Sequence, residues 1–179
     1  MKEKILKGEK VYLRRPTPED FPEFTTKSKT SRKFHKNLVS PSIDRRGFDK
    51  YLKRNEYDTD ECFLICRNTD DAIVGTINLS QIFRKSFQNA YVGYLLFDKF
   101  TGFGFMTEAV ELVLNFPFRT LKLHRVEANV QPENTASIAV LQRTNFTKEG
   151  FSRKYLKIGG RWRDHERWAI IVENWRKEK

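Results

Sequence analysis

The chain has 179 residues, of which 39% are hydrophobic and 13% aromatic, enough for one full core and too apolar for a disordered polymer. Its 34 Lys and Arg against 23 Asp and Glu leave a formal charge of +11, which points to a nucleic-acid partner, a phosphate-bearing ligand or simply a solvated basic surface. No apolar run approaches the roughly 20 residues of a membrane span, and the charged start MKEKILKGEK does not read as a signal peptide.

These bounds give the expectation of a soluble cytoplasmic protein with one domain, 1–179. VYLRRPTPEDFPEF (11–24) opens with a short strand, and Thr17-Pro18-Glu19-Asp20 carries the signals of a helix start. Residues 27–42 are polar and basic and read mainly as loop. SIDRRGFDKYLKRN (42–55) suits a second helix, with Phe48 and Leu52 one turn apart. A β-meander follows: CFLICR (62–67), AIVGTINL (72–79) and AYVGYLLF (90–97), the first two joined by NTDD. Cys62 and Cys66 have no third Cys and no nearby His, so they read as core residues and not as a zinc site.

KFTGFGFMTEAV (99–110) then bends on two glycines and enters a helix whose apolar positions are 106, 109, 110, 113 and 114, stopped by Pro117. The first turn of a helix has N–H groups without intrahelical partners and a positive dipole end. Glycines before it let an anion approach, so the stretch is either a plain turn or a phosphate cradle. It is neither the dinucleotide fingerprint, which fails at Thr107, nor a P-loop. LHRVEANVQ (123–131) is a strand, PENTASIAVLQRTNF (132–146) a helix capped by Asn134 or Thr135, and RKYLKIGGRWRDHERWAIIV (153–172) a hairpin turning at Gly159-Gly160. The order of elements describes an α/β arrangement around one mixed sheet.

GFGFMTEAVELVLNF, PENTAS and RWRDH, in this order and spacing, resemble the GNAT superfamily of N-acetyltransferases, and within it the RimJ/RimL-type enzymes that acetylate the N-terminal alanine or serine of ribosomal proteins. The resemblance covers about residues 8–175. It implies a mixed, mostly antiparallel sheet with a central splay between two strands, flanked by helices, and acetyl-CoA as cosubstrate with no metal. It implies a pyrophosphate site on the amides of residues 99–104, Lys99, Thr101, Gly102, Phe103 and Gly104 among them, further cofactor contacts at Phe105 and Met106, and a pantetheine arm paired with the backbone of Leu95, Leu96 and Phe97. Lys99 stands where the family has Gln or Arg, keeping a cation but losing the fork geometry. Asn134 matches a cofactor-contacting position and also suits an N-cap; Arg143 reads either as a phosphate contact or as a solvated helix residue.

The resemblance also suggests Ser137 as the acid for the leaving thiolate, since the Tyr position of many members, seven residues after Asn134, is Leu141 here. Glu127 is a candidate base, with pairing to Arg125 or a bound water as alternatives. Asp164 would hold the acceptor amine or order its hairpin, and the segment 29–39 should cover the acceptor cleft. His124 and His165 read as packed or hydrogen-bonded residues. The acceptor so implied is the N-terminal α-amine of a ribosomal protein, met in a ternary complex, by a monomer or homodimer; the basic charge fits proximity to the ribosome or RNA. Two alternatives stand beside it: acetylation of a small amine (polyamine or aminoglycoside), and a non-catalytic ribosome- or RNA-associated module.

Overall fold

The computed structural model describes residues 3–36, 38 and 41–177. Of the segment expected over the cleft, Asn37 and Val39 therefore lie outside the described residues, as does Ser40 of the neighbouring loop. The elements are β1 (Leu6–Lys7), β2 (Val11–Arg14), α1 (Phe21–Thr30), α2 (Arg45–Lys53), β3 (Glu61–Arg67), β4 (Ile73–Phe83), β5 (Asn89–Leu96), α3 (Phe105–Val113), β6 (Arg125–Val130), α4 (Thr135–Arg143), β7 (Thr147–Ile158), β8 (Arg161–Ile171) and α5 (Val172–Lys177).

The eight strands form one sheet in the order β1-β2-β3-β4-β5-β6-β8-β7. Every neighbouring pair is antiparallel except β5–β6, which is parallel. This is the mixed, mostly antiparallel sheet expected from the sequence. The parallel pair arises because α3 carries the chain from the end of β5 back to the start of β6, the crossover that parallel neighbours require.

The helices sort by sheet face. Met106, Ala109, Val110 and Val113 of α3 are buried in the same cluster as Phe63, Ile77 and Val92, with Tyr94 and Leu96 packed on it. Full burial of each larger side chain contributes about 1.5–3 kcal/mol, which fixes α3 to this face. On the opposite face, Phe24 of α1 and Phe48 of α2 pack with Tyr12, Leu64 and Phe97, and Leu95 lies against them. Tyr94 and Leu95 thus point to opposite faces, as strand alternation demands.

The helix boundaries refine the sequence reading. Pro18–Asp20 form a 3-10 turn, and α1 itself runs from Phe21 to Thr30, so residues 27–30 are helical where loop was expected. The junction is clamped by a buried ion pair. Asp20 accepts from both Arg14 terminal nitrogens at 2.7 Å and from the Thr17 N–H at 2.8 Å. Asp44 caps α2, accepting from the Gly47 N–H at 2.7 Å. α3 ends at Val113, and Pro117 falls in a single π-type turn, 116–120. No helix among the described residues is long and apolar enough to cross a membrane.

Candidate active site

β5 and β6 are paired only at their first residues: Asn89 with Arg125, Ala90 with Val126, Tyr91 with Glu127. Beyond Tyr91, β5 stays with β4 as far as Leu96, and β6 stays with β8 as far as Val130. The two strands therefore splay, leaving residues 92–96 without a strand on the β6 side. Backbone donors and acceptors require partners, so this edge is built to take an extended ligand through main-chain hydrogen bonds. A cavity of about 1570 Å³ is lined from both sides of the gap. That exceeds the roughly 300–1,000 Å³ of an ordinary small-ligand pocket and leaves room for two ligands to meet.

On the α3 face the cavity meets the glycine turn. Gly102 and Gly104 have φ of 83° and 80°, and Gly104 is the N-cap of α3. Positive φ is the reason for glycine at both positions, and Thr101, Gly102, Gly104, Phe105 and Met106 bring the turn and the start of α3 into the cavity wall. A cation stands beside them. Lys10 Nζ donates to the Phe103 carbonyl at 3.4 Å and lies 3.5 Å from where a Gly104 Cβ would be. Glu108, in the first turn of α3, accepts from the Lys10 N–H at 2.9 Å and so holds this strand start against the helix. Gly8 permits the contact, since a Cβ there would lie 2.0 Å from Glu108 Oε1. The Phe103 ring is in solvent, 59% exposed and stacked on Phe105 at 5.7 Å between centroids.

At the middle of the splay, Ser137 Oγ donates to the Tyr94 hydroxyl at 3.0 Å, and the Tyr94 hydroxyl reaches the Ser137 carbonyl at 3.3 Å. Burial pushes the Tyr94 hydroxyl up to about 12, with the Ser137 bond pulling slightly the other way, so the phenol stays protonated at neutral pH. Asn134 caps α4, its Oδ1 accepting from the Ser137 N–H at 3.2 Å, and thereby fixes the serine. Asn134, Ser137 and Arg143 all line the cavity.

On the α1–α2 face the cavity wall is a polar ladder of Thr76, Asn78 and Ser80 from β4. Register places them opposite Leu95, Gly93 and Tyr91, and Tyr51 of α2 donates to Asn78 Oδ1 at 3.0 Å. His35 and Arg54 complete this side. The lining carboxylates among the described residues are Glu9, Glu108 and Glu111, all on the β1–β2 turn or α3, so this half of the cavity has none.

The structure thus brings Leu95, Leu96, Thr101, Gly102, Gly104, Phe105, Met106, Asn134, Ser137 and Arg143 to one cavity. Phe97 is instead buried under α1 and α2, and Lys99 is exposed on the 3-10 turn 98–100, away from the wall. Glu127 is ion-paired with Arg125 at 2.8 Å, and Arg125 also binds Glu149. Asp164 Oδ1 accepts from the Lys154 N–H at 2.7 Å, where Lys154 has a φ of 47°. That bond holds the irregularity of β7 between Ser152 and Leu156. His165 is buried with Nδ1 3.0 Å from the Arg163 carbonyl, and His124 sits 3.1 Å from Glu173. Lys10, Tyr94 and His35 escaped the sequence reading. Among the described residues no group of three His, Cys, Asp or Glu side chains is placed to hold a metal ion.

A splayed α/β sheet with an anion-ready helix start on one face and a polar cleft on the other defines the acetyltransferase class. The chain belongs to the acetyltransferase (GNAT) domain family, whose model matches residues 10–147, and it is an N-acetyltransferase. It is 38% identical over 175 residues to the probable N-acetyltransferase YjcK of Bacillus subtilis, covering 93% of this chain and 97% of that one. It is 40% identical over 103 residues to the [ribosomal protein uS5]-alanine N-acetyltransferase of Escherichia coli, covering 58% of this chain and 53% of the relative. In structure it superposes on Mycobacterium smegmatis RimJ in complex with CoA-disulfide with a TM-score of 0.84 at 27% identity, covering 91% of this chain and 82% of that one.

Proposed function

We propose that the enzyme transfers acetyl from acetyl-CoA to a single primary amine, the N-terminal α-amine of a ribosomal protein. The observation that carries the reading is the through-sheet cavity: an anion-ready turn on one face, a carboxylate-free polar cleft on the other, and the unpaired edge of β5 between them. A polyamine or aminoglycoside brings several positive charges and needs carboxylates to meet them, whereas Arg54 and neutral groups suit one amine on an otherwise uncharged or acidic segment. The likeness to an alanine N-acetyltransferase of a ribosomal protein, and the formal charge of +11, support the same acceptor. A cytoplasmic location goes with it.

In this reading the amides of 102–105, with Lys10 and Arg143, hold the pyrophosphate, while Leu95 and Leu96 pair with the pantetheine arm. Lys99 and Phe103 contribute through the turn's backbone, and Asn134 acts by holding Ser137. A backbone N–H of the unpaired β5 edge receives the negative charge that builds on the thioester oxygen. Most of the acceleration comes from positioning the two substrates in one complex. The amine attacks the acyl carbon, the C–S bond breaks, Ser137 gives a proton to the departing thiolate, and the proton shed by the new amide nitrogen returns to Ser137 through water. A free α-amine has a pKa near 7.7–8.0, so its proton is readily lost to water at neutral pH. Glu127, held by Arg125, and Asp164, held by the β7 backbone, serve as structural carboxylates.

The test is a panel of acceptors with acetyl-CoA: peptides bearing ribosomal-protein N-termini, spermidine and an aminoglycoside. Peptide acetylation with negligible polyamine turnover is expected; polyamine turnover above peptide turnover would overturn the acceptor assignment.

A further inference from the structure

One side chain on the α1–α2 face of the cavity has hydrogen-bonding capacity to spare. His35 is 4% exposed, and its Nε2 has no hydrogen-bond partner. Its position is fixed by the turn that carries it. The His35 N–H donates to the Ser31 carbonyl at 3.1 Å, and Ser31 Oγ in turn accepts from the Asp98 N–H at 2.9 Å, which ties the turn to the end of β5. The ring meets Phe34 edge-on at 5.1 Å, and the Leu96 carbonyl lies where it favours a hydrogen on the ring. A neutral imidazole carries one hydrogen and a carbonyl only accepts, so the tautomer that suits this site has the hydrogen on Nδ1 and leaves the unpartnered Nε2 as an acceptor. Burial outweighs the Leu96 carbonyl and the Asp98 charge and keeps the ring neutral at pH 7. Nε2 is then a bare acceptor in the wall of the cavity.

A second buried acceptor lines the same cavity from the other arm of the splay: Asn129 Oδ1, also without a partner. Buried acceptors are nearly always matched by donors. Two of them in a cleft without carboxylates call for a ligand that donates hydrogen bonds and carries little net positive charge. A primary amine that has lost its proton fits this description. We propose that His35 Nε2 is a specificity-determining contact for the acceptor amine, accepting an N–H and, with Asn129 Oδ1, aiming the nitrogen at the acyl carbon. The proposal rests on the acceptor being an amine, as argued above.

Two measurements test it. In the full chain labelled with ¹⁵N, the His35 imidazole is assigned by difference against His35→Gln and followed as CoA and then a peptide with a free α-amine are added. The Nε2 signal should move with the peptide, and stay in place with CoA alone or with the same peptide N-acetylated. Peptide binding seen in α1–α2 backbone amides with an unmoved Nε2 would overturn the proposal. In steady-state kinetics, His35→Leu should lower kcat/KM for the peptide about tenfold or more while the Kd for CoA stays within about twofold. Wild-type kcat/KM in that variant, or CoA affinity lost in proportion, would also overturn it. A wild-type chain that binds CoA but acetylates no amine would sink the proposed function instead, and the two failures are distinct. Should His35→Leu fail to fold, the titration of the wild-type chain decides.

Discussion

Ser137 of α4 and Tyr94 of β5 meet across the splay, hydroxyl to hydroxyl, at 3.0 Å. Neither position is one that strand or helix packing requires to be polar, and together they set two O–H groups where the strands part. Hydroxyl hydrogens rotate, so Ser137 can turn its O–H toward a leaving sulfur while Tyr94 donates to Ser137 Oγ.

Ser137→Ala should therefore lower kcat by roughly 10²-fold, the usual yield of a positioned acid, with little change in acetyl-CoA affinity. Tyr94→Phe removes only the supporting bond and should cost about tenfold. Steady-state assays on both variants, with CoA binding measured separately, check the order of effects.

Acetyl-CoA at about 100 times its Kd should stabilise the fold by about 2.7 kcal/mol. Gly104→Val should abolish that gain, because a β-branched residue is strained at a φ of 80° and the turn can no longer present its amides. The variant's own stability should fall by only about 1–2 kcal/mol. Thermal or urea unfolding with and without the ligand reads both numbers.

The Arg14–Asp20 pair is buried on both sides, with 4% and 2% of the side chains exposed. Asp20→Ala leaves an uncompensated guanidinium in the core and should cost about 3–5 kcal/mol. Because the pair clamps β2 to α1, peptide affinity should suffer more than CoA affinity. Urea titration and the two binding measurements give the comparison.

Two raised acids, the buried Cys62 and the half-buried Tyr94, contribute to the loss of stability at alkaline pH. Burial pushes the Cys62 thiol up from 9.0 to about 11 and the Tyr94 phenol from 10.0 to about 12. The unfolded chain loses these protons first, so the folded state gives up stability as pH rises through about 9–11 for Cys62 and 10–12 for Tyr94. Below pH 9 neither contributes a slope. Cys66 is raised by burial as well, so both free thiols should be inert to a thiol reagent at pH 8 until the chain is unfolded.

Much of this was legible along the chain where the signal is local. The 106, 109, 110, 113 stripe gave α3 its face, the two glycines gave the turn with positive φ, and Asn134 gave the cap of α4. What escaped depends on contacts between distant segments. Lys10 reaches the turn from a residue 93 positions away, and Tyr94 finds Ser137 across 43. Tyr94 read as one more strand aromatic because only tertiary pairing shows which face opens into the splay. His35 lies in the least patterned stretch, and β1, two residues long, carries no periodicity to detect. The Glu127–Arg125 pair and the Asp164–Lys154 bond show the other side of this: both carboxylates were visible as candidates and Arg125 as a possible partner, but only three dimensions showed that the pair forms and that Asp164 is held by the Lys154 N–H.

The central claim, acetyl transfer to an N-terminal α-amine, is tested most directly by mass spectrometry of one peptide with a ribosomal-protein N-terminus and one internal lysine. After incubation with acetyl-CoA, fragmentation should place a single acetyl group on the α-amine, and the same peptide with its N-terminus blocked should stay unmodified. Acetyl on the lysine side chain, or none on either amine from a chain shown to bind acetyl-CoA, would contradict the account.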